Sequence, residues 1–351
     1  PGAWDEIALN NAIAAMVLAL IALSLVPLTG WAGQVNFAPL AFAGFGAFVF
    51  LQFTDGDGSA AWIPLVGLLC APLGALVALP AARLRGLYLA LMSMAFAQLM
   101  ATVFFPHPDV FPASTAVRQF GPLEMFGFTF DDRRDYFMLV AGMVALGIFV
   151  LVLLRRSRFG RRWVALSDSP AASATVGVNV LWTKVIVYAF SAAIAGMAGV
   201  FWATSKGTVD GVRDFELLVG LEIVLLMAAA GMSIPAAVLF MSFRFVFAAL
   251  AARLDESGNF GFLVWLFEEI FVPFGPGLLA IGMVVNQRGA IYEMGRGFAP
   301  LLPWRADARE EQRLEREANR EPEVGELGLA RPFTSDDVAA IDRRLGVTGD
   351  V

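Results

Sequence analysis

Five polar side chains stand inside otherwise apolar runs: Gln34, Asn36, Ser93, Gln98 and Glu222. They offer amide, hydroxyl and carboxyl groups, which can hold and pass a polar solute. Burying such groups unpaired in hydrocarbon is costly, so they tend to face a cavity or a partner. A purely structural role fits each of them equally well. Covalent chemistry has far less to work with. Cys70 is the lone cysteine and His107 the lone histidine. An intrachain disulfide is excluded, and a multi-ligand zinc site or a Cys–His or Ser–His pair lacks its members. No metal site and no cofactor are expected. Cys70, within an apolar run, reads as packing, and His107, between two prolines in FPHPD, reads as a loop residue.

A second polar feature has a different character. The stretch from Arg155 to Lys184, RRSRFGRRWVALSDSPAASATVGVNVLWTK, sets five arginines and a lysine against one acid, Asp168. Gly160 to Ser167 predicts one short helix. Asp168 or Ser169 can cap a second, with Pro170 at its favoured first position, Ala171 and Ala172 following, and Gly177 as the stop. Two alanines on one face leave a small, flat surface that a partner's groove can receive. An amphipathic loop lying on lipid headgroups is the other reading of the same residues.

The elements that must position these groups are helices in a bilayer. The 351 residues are 58% hydrophobic and 16% charged, against about 45–50% and about 25% in soluble domains. The excess arrives as runs near the length that crosses a membrane. The expected fold is therefore an all-α polytopic transmembrane bundle of about nine apolar segments, some broken or interfacial. They run from about Ile7 to Leu28, Gly30 to Phe53, Trp62 to Leu79, Gly86 to Phe105, Tyr136 to Leu154, Val185 to Thr204, Phe215 to Ala230, Ala236 to Ala252 and Phe262 to Val285. Pro27 with Thr29 and Gly30 is expected to end the first. The second opens with Gly33, Gln34 and Asn36 and holds Pro39. It is either a broken, cavity-lining start or a helix beginning at the membrane surface with Asn36 as its cap. In the sixth, Ser191, Ala195 and Gly199, with Ala192 and Gly196, recur at the small-xxx-small spacing of closely packed helices.

The basic segment falls in the cytoplasm by the positive-inside rule, and Arg83 and Arg85 fall there with it. The turn at 54–59 and the loops at 106–135, 205–214 and 253–261 then lie outside. Pro1 lies outside too, so an N-terminus made inside requires one more span upstream. Residues 1–286 form the membrane domain, with 155–184 as its cytoplasmic segment. Residues 287–351 form a cytoplasmic tail, in which positions 305–351 carry twelve acids against eight arginines. That tail reads as an exposed run, a docking segment or a linker. Nothing in the charge pattern points to nucleic acid.

Four stretches, in order, resemble one family. SRFGRRWVALSDSPAASATVGVNVLWTK, followed by a span rich in small residues, is similar to the corresponding region of LivM-type permease subunits of branched-chain amino-acid ABC importers. GWAGQVNFAPLAFAGFGAF resembles their GYAGQ(V/L)S-GHA-FFGIGAY run. LPAARLRGLYLALMSMAFAQLM resembles LPALRLRGLYLAI-TLAF-E, and ELLVGLEIVLLMAAAG resembles S-E-L-MVVLGG. The likeness covers about Leu25 to Gly289. Three departures stand out: no His follows Asn36, AAAGMSIPAA replaces a glycine-rich run, and VVNQRG replaces FRPRG.

The resemblance implies a cell-membrane importer subunit that is not itself an enzyme. Its expected partners are a second, LivH-like permease, two cytoplasmic ABC ATPases, an extracytoplasmic solute-binding protein and membrane lipid. No GxxxxGK loop exists in this chain to bind ATP. The ATPase contact would then be Arg158, Phe159, Gly160, Arg161, Asp168, Pro170, Ala171, Ala172 and Gly177. Gln34, Asn36, Ser93, Gln98 and Glu222 would line the translocation path. Branched-chain amino acids are the family's usual solute; urea, amides, aromatic acids and sugars define the alternatives. A secondary carrier would show two related halves, and a membrane enzyme would need paired acids, histidines or cysteines; the sequence presents neither.

Overall fold

The structure, a computed structural model, describes residues 6–54, 58–81, 87–107, 110–111, 123–125, 128–211 and 213–238. The first seven apolar runs each form a helix. They are α1 (Glu6–Leu25), α2 (Pro39–Thr54), α3 (Ile63–Ala81), α4 (Leu87–Leu99), α5 (Arg133–Arg156), α8 (Val180–Lys206) and α9 (Leu217–Ala230). Between α5 and α8 lie α6 (Arg158–Asp168) and α7 (Pro170–Thr175). Most of the eighth run, all of the ninth, Arg83, Arg85, the 253–261 loop, the domain boundary at 286 and the tail lie outside the described residues.

Four helices, Leu9–Trp31, Ala60–Pro80, Arg133–Arg156 and Val180–Lys206, are long and apolar enough to cross a bilayer. The longest, α8, has 27 residues, about 40 Å at a helical rise. Large apolar side chains face outward along these helices, among them Leu68, Leu76, Met138 and Phe149. In water such a surface would drive aggregation; in lipid it is the expected outer face.

α8 is the central helix, packed by α1, α2 and α3. The small residues permit it. A Cβ on Gly199 would run into the Ala43 carbonyl, and one on Gly46 into the Gly196 backbone. Cys70 is fully buried against Gly196, in the packing role the sequence implies. Hydrogen bonds pin the neighbours. The Ser191 hydroxyl donates to the Ser24 carbonyl at 2.6 Å. The Tyr136 hydroxyl sits 2.8 Å from the Phe201 carbonyl and 2.7 Å from Thr204 Oγ1, tying α5 to α8.

One expectation needs correction. Pro27 does not end the first helix. The helix widens instead into a π-turn over Val26–Trp31, closed by the Ala32 amide donating to the Pro27 carbonyl at 3.2 Å. Proline has no amide to give and crowds the carbonyl four residues back, so the ladder shifts by one instead of stopping. A small sheet accompanies the all-α bundle. Gly58–Ser59 (β1) pairs parallel with Leu123–Met125 (β2), which pairs antiparallel with Phe128–Thr129 (β3). Strands of two or three residues are too short to leave a period in the sequence.

This small sheet also reports on topology. It joins the α2–α3 turn to the α4–α5 loop, and the Arg133 guanidinium donates to the Ser205 carbonyl at 2.9 Å. The three connections therefore gather at one end of the bundle. Trp31, the last turn of α5 and the α6–α7 pair gather at the other. The same alternation follows from counting spans in the sequence.

Candidate functional site

The second apolar run is broken at its start. After the π-turn the backbone is non-helical from Gly33 to Ala38, and α2 begins only at Pro39, where a missing amide costs nothing. Gly33 takes φ +63, a conformation that disfavours side chains. Few hydrogen bonds hold the break. The Gln34 backbone N–H donates to the Leu28 carbonyl at 3.0 Å, and the Ala38 backbone N–H to Asn36 Oδ1 at 3.0 Å. The Phe37 amide donates to Ser93 Oγ at 3.0 Å. Ser93 in turn donates to the Ala90 carbonyl at 2.9 Å.

Both amides are inside the fold. Gln34 is 3% exposed and Asn36 0%. Asn36 is thus no surface cap, and the broken-start reading is the one the geometry matches. Among the described residues, no protein group pairs with either amide atom of the Gln34 side chain, with Asn36 Nδ2 or with Thr29 Oγ1. Each such group costs about 1–3 kcal/mol when buried. Folded proteins leave few of them, and among the described residues four of the five such atoms fall between Thr29 and Asn36, the fifth being Trp202 Nε1. Among the described residues, His, Cys, Asp and Glu form no group of three or more that could hold a metal ion.

The structure brings Gln34, Asn36 and Ser93 to one place and sets Gln98 and Glu222 apart from it. Gln98 is exposed. It lies five residues beyond Ser93, about 140° around α4. Helix α9 runs beside the break: a Cβ on Gly220 would sit 3.2 Å from Leu40 Cβ, and one on Gly30 would meet the Met232 carbonyl. Glu222 is two residues past Gly220, hence on the far side of α9, and half-buried.

The α6–α7 pair follows its sequence signals closely. Ser157 caps α6, accepting from the Phe159 and Gly160 amides at 3.2 and 3.4 Å. Ser169 caps α7 through the Ala172 amide at 3.2 Å, with Pro170 first in the helix. At the end, the Gly177 amide donates to Ala174 and the Val178 amide to Ser173, both at 3.0 Å. That pair of hydrogen bonds closes the helix and needs φ +86 at Gly177. Arg158, Phe159, Arg161, Asp168, Pro170, Ala171, Ala172 and Gly177 are all exposed. Gly160 is the exception, buried where a Cβ would meet the Leu154 carbonyl. Val176, 83% exposed, tops a patch of small and apolar side chains that nothing in the chain covers among the described residues.

Sequence reasoning overlooked what lies between the two features. Trp163, 2% exposed, stacks on Trp31 at 6.3 Å and 24°, and packs on Phe190 at 5.9 Å. The Arg155 guanidinium lies 5.6 Å over the Trp31 ring. A Cβ on Gly33 would stand 2.7 Å from Ser167 Oγ. The α6–α7 pair therefore rests directly on the broken stretch. The one signal available was the tryptophan at each place, and a residue type alone does not name its partner.

A bundle with apolar outer faces, a polar break inside and an exposed pair of short helices at one end defines a multi-pass helical membrane protein. The chain belongs to the family described as the permease component of branched-chain amino acid transport systems, whose model matches residues 7–253. It is similar to the high-affinity branched-chain amino acid transport system permease protein LivM of Salmonella typhimurium and to that of Escherichia coli. Each is 27% identical to it over 56% of this chain and 52% of the relative. The chain thus spans about half the length of these curated relatives. No solved structure matches it significantly.

Proposed function

We propose that the chain is one half of the translocation path of an ATP-binding-cassette importer, carrying branched-chain amino acids or a related small polar solute. The family match over residues 7–253 is the observation that carries this reading. ATP hydrolysis then belongs to separate subunits bound to α7 through Pro170, Ala171, Ala172 and Gly177, with Arg158, Phe159, Arg161 and Asp168 around them and Gly160 seating α6. The exposure of these residues and the capped ends of α7 support such a contact. A rigid, preorganised surface loses little entropy on binding. The arginines favour placing this end, with the tail, in the cytoplasm. A second permease and an extracytoplasmic solute-binding protein would complete the particle.

For the path itself, Gln98 presents its amide on an exposed face of α4, and the half-buried Glu222 lies on the side of α9 away from the break, where a pore shared with a second permease would run. Gln34, Asn36 and Ser93 are buried in the state described, so they reach a solute only when the break moves. Amides and a hydroxyl suit the neutral and zwitterionic solutes of this class. Urea, amides, aromatic acids or sugars remain the competing cargoes.

Purification of the full chain from its native membrane tests the reading. An ATPase that copurifies, and solute uptake by the reconstituted particle only with ATP inside and a binding protein outside, is the expected result. Uptake driven by an ion gradient without any ATPase would overturn it.

A further inference from the structure

The geometry points to Trp163 as the positioning residue that links α7 to the buried amides: α6 acts as a rigid handle, and the Trp163–Trp31 stack transmits its movement to the break at 33–38. The inference rests on the proposed coupling role of α7 and goes beyond it by naming the route inside the membrane.

Rigidity on the handle side is built from short contacts. Ser173 Oγ donates to the Ala165 carbonyl at 2.8 Å, fastening α7 across α6. The Ser157 cap and the burial of Gly160 on Leu154 and Arg155 fasten α6 to the end of α5. Trp163 and Leu166 are the buried face of α6, each 2% exposed. That face lands on Trp31, one residue beyond Gly30 and three before Gln34. Ser167 lands on Gly33 itself.

Yielding on the other side is equally local. The break has lost its helical hydrogen bonds and is kept in place by four side-chain or irregular bonds, the weakest being Tyr188 Oη to the Val35 carbonyl at 3.5 Å. It is flanked by the π-turn, a form associated with functional sites. It also carries the orphaned polar atoms of Gln34 and Asn36. Unpaired groups lower the cost of leaving the buried state, since moving them toward water or solute recovers their hydrogen bonds. A push on α7 therefore reaches a sparsely hydrogen-bonded stretch of backbone chiefly through the Trp163–Trp31 stack, with Ser167 beside Gly33, and the response is exposure of the amides.

Thiol labelling in membranes that hold the complete complex tests this, with Cys70→Ala as the background. Val35→Cys reports on the break and Val176→Cys on α7, each probed with a membrane-permeant maleimide, with and without a Mg-ATP–vanadate trap. With Trp163 or Trp163→Phe, trapping changes the labelling rate at position 35 about tenfold, the size of response that one intact aromatic pair's worth of coupling supports. With Trp163→Ala the change shrinks to less than about twofold, while position 176 still responds. A nucleotide response at 35 that survives Trp163→Ala overturns the inference. Position 176 failing to respond in any variant would instead strike the coupling role of α7. Should Trp163→Ala not accumulate, Ser167→Leu serves: its side chain presses on Gly33 and raises labelling at 35 without nucleotide. An unchanged rate there also overturns the inference.

Discussion

The Ser173 hydroxyl reaches back eight residues to the Ala165 carbonyl, 2.8 Å away, and this bond makes α6 and α7 one body. Six residues of α7 could not hold a helix alone. Capped at both ends and tied to α6, they form a firm surface with its small residues outward. The consequence is that contact with a partner and integrity of the fold can be separated by mutation.

Gly177→Glu provides that separation. A Cβ at Gly177 meets nothing within 4 Å, so packing is undisturbed. The left-handed φ of +86 adds only about 1–2 kcal/mol of strain. ATPase retention on purification and uptake should both fall by at least about tenfold, while the yield and melting of the membrane part stay near wild type. Normal uptake would remove Gly177 from the contact. Ala172→Glu should behave alike.

Gln34→Met is expected to move stability and transport in opposite directions. The substitution replaces an unpaired buried amide with an apolar chain of similar size, stabilising the chain by about 1 kcal/mol. Uptake should drop, because the amide is no longer there for the solute. Denaturation of the purified chain in detergent gives the first sign and vesicle uptake the second. A loss of stability would mean that the amide has a hydrogen-bond partner after all; unchanged uptake would take Gln34 off the path.

At the α8–α2 contact the effect should be purely structural. Even Gly199→Ala drives a methyl into the Ala43 carbonyl, and backbone cannot step aside as a side chain can. A loss of about 3 kcal/mol is expected, with little folded chain recovered. Thermal melting equal to wild type would show that the helices can part at no cost.

Tyr136→Phe should be mild. It deletes a hydroxyl held by the Phe201 carbonyl and Thr204, yet bonds of this kind inside membranes contribute only about 0.6 kcal/mol on average. Melting should fall slightly and uptake should remain within about twofold of wild type. A collapse in uptake would place the α5–α8 tie in the transport cycle.

Helix positions, the cap of α7, the glycine stop and the small-residue face of α8 were all readable along the chain, because each depends on neighbours a few residues apart; the Ser157 cap of α6 was not read. Ser157, Ser169, Pro170 and Gly177 do locally what their chemistry dictates, wherever the helix lies. The break at 33–38 was readable as an anomaly, since Gln34, Asn36 and Pro39 do not suit lipid.

What the residues could not disclose was which anomaly touches which. Trp31 and Trp163 are 132 positions apart by their numbers, and their stack depends on how α1, α6 and α8 converge. The burial of Asn36, the exposure of Gln98, the half-buried place of Glu222, and the continuation of α1 through Pro27 likewise depend on which neighbours fill the space around them. Local hydrogen bonding and hydrophobic period are properties of a segment. Burial and contact are properties of the packed bundle, and only the tertiary structure decides them.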